Sequence, residues 1–209
     1  MTNNFDDRIN IFALGNSEVG KTCFILKFTD NVFQEVHLMT AGIDLKTKII
    51  NHSNGKKYKI NFYDTAGQER YRSISVNSVK NSDGIVLMYD ITKQKSYDDL
   101  NIWMDSIKQI KKEGFPMVLV GNKCDLEEKR IVGEEEGKEL AAKFGLKFFE
   151  TSNKTGQNIE EAGNELINQI IEIKEKKKEE KKNVEKNVEN NFVLNKENTK
   201  DKEKEPCKC

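Results

Sequence analysis

Short apolar runs alternate with longer stretches of helical periodicity over the first three-quarters of the chain. INIFALG (9–15) has the length and branched-residue content of a buried strand, and KTCFILKFTDN (21–31) opens a helix. GIDLKTKII (42–50) and KYKINFYD (57–64) alternate apolar with polar positions, and Asn54-Gly55 in the NHSNGK between them marks a hairpin. GIVLMYD (84–90) and MVLVGNK (117–123) are apolar runs too short for helices. Between them, DDLNIWMDSIKQIKK sets Leu100, Trp103, Ile107 and Ile110 at helical spacing. GEEEGKELAAKFG predicts an amphipathic helix with acids in its first turn and Gly145 at its close. A last strand, LKFFETS, and a last helix, NIEEAGNELINQIIEIKEK, complete the set.

Strands alternating with helices predict a doubly wound α/β domain: a six-stranded, mostly parallel sheet with one antiparallel edge strand and helices on both faces. In such sheets, ligands bind beyond the carboxyl ends of the strands. Chemistry is therefore expected just after FALG, FYD, LVGNK and FFETS, and all four places carry it.

GNSEVGKT (15–22) has the G-x-x-x-x-G-K-[ST] spacing between the first strand and the first helix. Its glycines allow a tight loop whose backbone N–H groups curl around phosphates at a helix N-terminus. The phosphate-site candidates are Gly15, Ser17, Glu18, Val19, Gly20, Lys21, Thr22 and Cys23. Lys21 would reach the β- and γ-phosphates, and the Thr22 hydroxyl would ligate Mg²⁺. Glu18 is an unusual residue for such a loop. Its carboxylate either points outwards or repels the phosphates.

YDTAGQER (63–70) places Asp64 at a strand end, where a carboxylate can hold a Mg²⁺-bound water. Gly67 lacks a side chain, so its N–H can approach a γ-phosphate, and Gln68 is placed to orient an attacking water. In NKCD (122–125), Asp125 can accept the N1–H and N2–H₂ edge of guanine, which adenine does not offer. Asn122 would bond the base or tie loops together, and the Lys123 stem would cover the ring. ETSNKTG (150–156) supplies a further loop, with Ser152, Asn153 and Lys154 near the guanine oxygen. Thr40 is the candidate γ-phosphate sensor and a third Mg²⁺ ligand. Gln68, Lys21 and Thr40 are the catalytic candidates.

Composition narrows the class. The 209 residues carry 35 basic and 35 acidic side chains, so nothing suggests the electrostatic footprint of a nucleic-acid binder. No apolar run reaches the ~18 residues of a membrane span, and MTNNFDDR is no signal peptide, which points to the cytosol. From Lys174 to the end there are twelve Lys and nine Asp or Glu. Such a segment buries too little surface to offset its ordering entropy, so disorder is expected, with part continuing the last helix through Glu–Lys pairs. Cys23 and Cys124 read as buried free thiols, leaving Cys207 and Cys209 in the terminal EPCKC as the conspicuous pair.

GNSEVGKT, TAGIDLK, DTAGQERYRSIS, GNKCD and ETSNK stand in the order and spacing of the Ras-like small GTPases. They resemble the Rab branch most closely, over residues 6–175, with 176–209 as a charged tail. The resemblance implies a GTP/GDP switch that hydrolyses GTP slowly, needs Mg²⁺ and regulates vesicle trafficking. It implies that Phe33 packs against the guanine. Implied partners are an exchange factor, a GTPase-activating protein bringing an arginine in trans, effectors, an escort protein and a GDP-dissociation inhibitor. It implies geranylgeranyl groups on Cys207 and Cys209, and residence on the cytoplasmic face of an intracellular membrane with a cytosolic pool.

The residues agree with a lipidated end. The tail holds no further Cys or His for a metal, a persistent disulfide is disfavoured in the cytosol, and Pro206 excludes a C-a-a-X box. Phe192–Leu194 is either scattered apolar residues in a linker or the tail motif read by escort proteins. The chain departs from the usual Rab pattern at Ala41–Leu45, Tyr63 and Ser78–Ser82, which alters the surface read by effectors but not the nucleotide residues. Two other readings are a scaffold that holds nucleotide without hydrolysis and an adenine-specific phosphate-loop enzyme. Thr40, Gly67 and Gln68 oppose the first, and NKCD opposes the second.

Overall fold

The computed structural model describes residues 4–33, 43–65 and 79–200, leaving aside the side chains of 43 and 181–200. Two compact units divide the chain, Met1–Ile170 and Ile171–Cys209. The first contains β1 (Asp7–Leu14), α1 (Lys21–Asp30), β2 (Ile43–Asn51), β3 (Lys57–Thr65) and β4 (Gly84–Asp90). It continues through α2 (Gln94–Asp98), α3 (Leu100–Lys108), β5 (Met117–Asn122), α4 (Glu134–Phe144) and β6 (Lys147–Thr151). The final helix, α5, covers Ile159–Lys200.

Among the described residues the strands form one six-stranded sheet in the order β2-β3-β1-β4-β5-β6. Only β2 runs antiparallel, against β3, across the expected hairpin, where Gly55 takes φ +79°. The central strands are covered on both faces. Accordingly every residue of β4 and β5 is buried, and their sequences are continuous apolar runs rather than alternating ones. Edge strand β2 has the opposite character and leaves Leu45 and Ile49 half exposed.

One side of the sheet packs Phe12, Leu87 and Leu119 with Leu100, Trp103 and Ile107 of α3 and Leu140 of α4. Phe24, Phe28 and Phe62 are fully buried in the domain as well, with Phe28 and Phe62 edge to face. Gly163 in α5 has no room for a Cβ, because the Phe28 ring occupies that space. The expected helix around Trp103, 98–112, appears as the shorter α3, and a helical turn not expected from the sequence, α2, precedes it. Ile110 lies beyond the end of α3, partly buried against the same core.

The register aligns the carboxyl ends of the parallel strands. Ala13 lies beside Asp64, Asp90 beside Asn122, and Asn122 beside Thr151. Residues far apart in sequence thereby share one rim of the sheet. The second unit is helical through Lys200 by the backbone, so the charged segment continues as helix across 176–200, with its alternating Glu and Lys. Phe192–Leu194 falls within that helical span. No helix among the described residues is long and apolar enough to cross a membrane.

Candidate functional site

The phosphate loop leaves β1 at Leu14 and enters α1 at Lys21. Gly15 has φ +140° and Gly20 φ +100°, which side-chain-bearing residues rarely adopt. Space forbids side chains there too. A Cβ on Gly15 would strike the Met88 carbonyl, and one on Gly20 would strike the Asn122 and Asn153 amides. The first turn of α1 carries no acid, so its N–H groups present an anion-ready helix start.

Lys21 is buried, and its ammonium donates to the Gly15 carbonyl at 3.0 Å and the Asn16 carbonyl at 2.8 Å. Burial pushes it down to about 8, against the pull of the Asp64 carboxylate. A phosphate would restore the charge that burial disfavours. Thr22 donates its hydroxyl to Asp64 Oδ2 at 2.6 Å, bringing two hard oxygens together at the loop. Mg²⁺ takes one or two such protein oxygens and completes its shell with phosphate and water, so this pair fits it. Among the described residues no group of three or more His, Cys, Asp or Glu gathers as a metal cage. Thr40, Gly67 and Gln68 lie outside the described residues, as do Cys207 and Cys209.

The base side is built from the ends of β5 and β6. Ser152, fully buried, donates to Asp125 Oδ1 at 2.6 Å and accepts the Thr155 N–H at 3.1 Å, fixing the carboxylate that would face guanine. Asn122 donates to the Val19 carbonyl at 2.7 Å and accepts the Thr151 hydroxyl at 3.1 Å. These two bonds tie the phosphate loop to the ends of β5 and β6. Asn153 makes a parallel tie from its side chain to the Gly20 carbonyl at 2.9 Å. Phe33 is half-buried, Lys154 is exposed, and Cys23 is buried with its thiol pushed up by desolvation.

Lys123 adopts a left-handed φ of +70° and sets its ammonium 2.7 Å from Asp90 Oδ2. Asp90 is fully buried, and its other oxygen accepts the Thr92 N–H and hydroxyl at 2.9 and 2.7 Å. Asp90 is absent from the four places where chemistry was expected. The signal that could have found it was MYD, one more strand ending in an acid at the same rim. Asn16, Asp99 and Trp103 were likewise missed: Asn16 donates to Asp99 Oδ2 at 2.7 Å and accepts the Trp103 indole N–H at 3.0 Å.

A β-strand running through a glycine-turned loop into a helix, with the other strand ends gathered at the same rim, defines a phosphate-loop α/β protein. The Ras family model matches residues 10–172, and the chain belongs to that family. Ras-related protein Rab-13 from Mesocricetus auratus is 40% identical over 82% of this chain and 84% of its own length. Rab-15 from Mus musculus is 39% identical over 84% and 82%, and human Rab-3A 41% over 81% and 76%. The chain is thus a Rab-like small GTPase, a switch in membrane trafficking that binds and hydrolyses GTP.

Proposed function

We propose that Gly15–Thr22 cradles the phosphates of GTP, with Lys21 on the β- and γ-oxygens, while Asp125 and the Ser152–Lys154 loop read the guanine. What carries this reading is Lys21: a buried ammonium whose neighbours within reach are backbone carbonyls of the loop, at a helix start. Thr22, Asp64 through water, and Thr40 would hold Mg²⁺. When bound, Mg²⁺ neutralises charge on the β- and γ-phosphates. Gln68 would orient a water in line with the γ-phosphorus, with the Gly67 N–H on a γ-oxygen. The water oxygen bonds phosphorus as the bond to the bridging oxygen breaks, giving GDP and phosphate. Thr40 and Gln68 would order against the γ-phosphate and relax after hydrolysis.

Switching would be slow alone and accelerated by an activating protein, with an exchange factor reloading GTP. The Cys207 and Cys209 thiols would carry geranylgeranyl groups delivered by an escort protein, because two chains anchor stably where one is marginal. A GDP-dissociation inhibitor would then extract the lipidated GDP form to the cytosol. The test is single-turnover hydrolysis of bound GTP with Gln68→Leu. A fall of roughly tenfold or more is expected, since the water loses its orienting amide; an unchanged rate removes Gln68 from the mechanism. Intact-mass measurement of the protein from its own cells reads the lipids, and a mass with both thiols bare rejects the anchor.

A further inference from the structure

At the amino ends of β5 and β6, the end of the sheet away from the nucleotide residues, lies a cavity of about 490 Å³. It opens between the carboxyl end of α3, the loop before β5 and the close of α4. That volume is in the range of small-molecule sites. Its floor is apolar: Met104, Ile107 and Met117 are buried, while Phe115, Phe144 and Leu146 are only partly so. Its rim is basic, with Lys108, Lys112 and Lys143 exposed and Lys111 half-buried, against one lining acid, Glu113. Part of this has an ordinary cause. Lys108 and Lys143 stand in the last turns of α3 and α4, where a cation meets the negative end of a helix. Lys111 donates to the Lys80 and Ser82 carbonyls, both at 2.9 Å. Neither cause accounts for the two rings left partly open beneath the cations. The Lys111 ammonium lies 4.3 Å from the Phe115 centroid, and that of Lys108 5.8 Å from the Phe144 centroid.

An apolar floor under a cationic rim complements a molecule with an apolar body and an anionic head. We propose that this cavity binds one monomeric fatty-acid carboxylate, its methylenes on the floor and its head at the lysine rim. The two methionines suit a flexible chain, because their unbranched side chains adapt to its shape. Lysine stems extend the apolar wall while their ammoniums stay at the water. A flat bilayer face would touch the lysines but would not reach Met104 and Met117, which are 2% and 8% exposed. The site is at the opposite end of the strands from Lys21 and Asp125, so the acid and the nucleotide bind without competing.

Calorimetric titration of the full chain tests it, with decanoate, dodecanoate and dodecyltrimethylammonium, each below micelle formation. Dodecanoate is expected to bind one to one, and decanoate roughly tenfold more weakly for its two missing methylenes. Dodecyltrimethylammonium should bind at least roughly tenfold more weakly than dodecanoate, because the rim repels its head. Lys112→Glu/Lys143→Glu should weaken dodecanoate roughly tenfold at low salt while bound GDP is retained, which shows that the variant is folded. Should that variant lose GDP, Lys112→Gln/Lys143→Gln reads the same loss at roughly threefold. Heat without saturation at one site, equal binding of the cationic amphiphile, or wild-type dodecanoate affinity in the folded variant overturns the proposal. So does binding to phosphatidylserine vesicles with no uptake of monomeric dodecanoate, which marks the lysines as a charged surface alone.

Discussion

The two halves of the nucleotide site are held in different ways. On the base side several ties join base-side residues to one another: Ser152 to Asp125, Thr151 to Asn122, and a bidentate Arg130–Glu150 pair at 2.6 and 2.9 Å, while Lys123 reaches Asp90 at the end of β4. The phosphate loop is held from outside. Asn122 and Asn153 grip it at Val19 and Gly20, while Asp99, Trp103 and Lys93 grip Asn16 and Glu18. A loop that spends its own N–H groups on a ligand has few left to fold itself, so its rigidity comes from neighbours.

The contrast predicts that one phosphate-side change separates ligand affinity from stability. Lys21→Met should lower GDP affinity by roughly 10²-fold or more, because charge-assisted bonds to the phosphates are lost. The nucleotide-free protein should melt no lower, since the buried ammonium is already disfavoured, down at about 8. Calorimetric binding and thermal unfolding of the stripped protein measure the two. A large drop in melting temperature would mean that Lys21 braces the loop through Gly15 and Asn16.

Asn122→Ala strikes the bridge between the halves. It strands the Val19 carbonyl and the Thr151 hydroxyl together, costing about 3 kcal/mol. GDP should then leave roughly 10²-fold faster, and the domain should melt roughly 6–12 °C lower. Loss of affinity with unchanged melting would recast Asn122 as a base contact and dissolve the comparison.

What was legible in the sequence divides along the same line. The strands, the hairpin and the residues aimed at ligand stand in local patterns, since a loop that wraps phosphate needs its glycines and lysine at fixed spacing. The residues that hold those loops carry no local mark. Asn16 meets Trp103, and Asn122 meets Val19, only because the sheet order brings distant strand ends to one rim. The spacing of Trp103 placed it on a helix, but periodicity says nothing about where its indole N–H goes. The short helix α2 escaped for a related reason: Asp99, which separates it from α3, keeps helical backbone angles (φ −68°, ψ −10°), and no glycine or proline marks the boundary.

The smallest effect sharpens the comparison most. Ser152→Ala removes one hydroxyl that both orients Asp125 and caps the Thr155 N–H. A single buried hydrogen bond of this kind is worth about 1 kcal/mol, or roughly fivefold in guanine-nucleotide affinity. Because the tie is internal to the base side, affinity for inorganic pyrophosphate should not change, and the preference of GDP over ADP should narrow by the same factor. Equal losses for GDP and pyrophosphate would show that strain at Ser152 reaches the phosphate loop through Asn153 and Gly20. The base side would then be bound to the phosphate loop as tightly as to itself, and the two halves would be one mechanical unit.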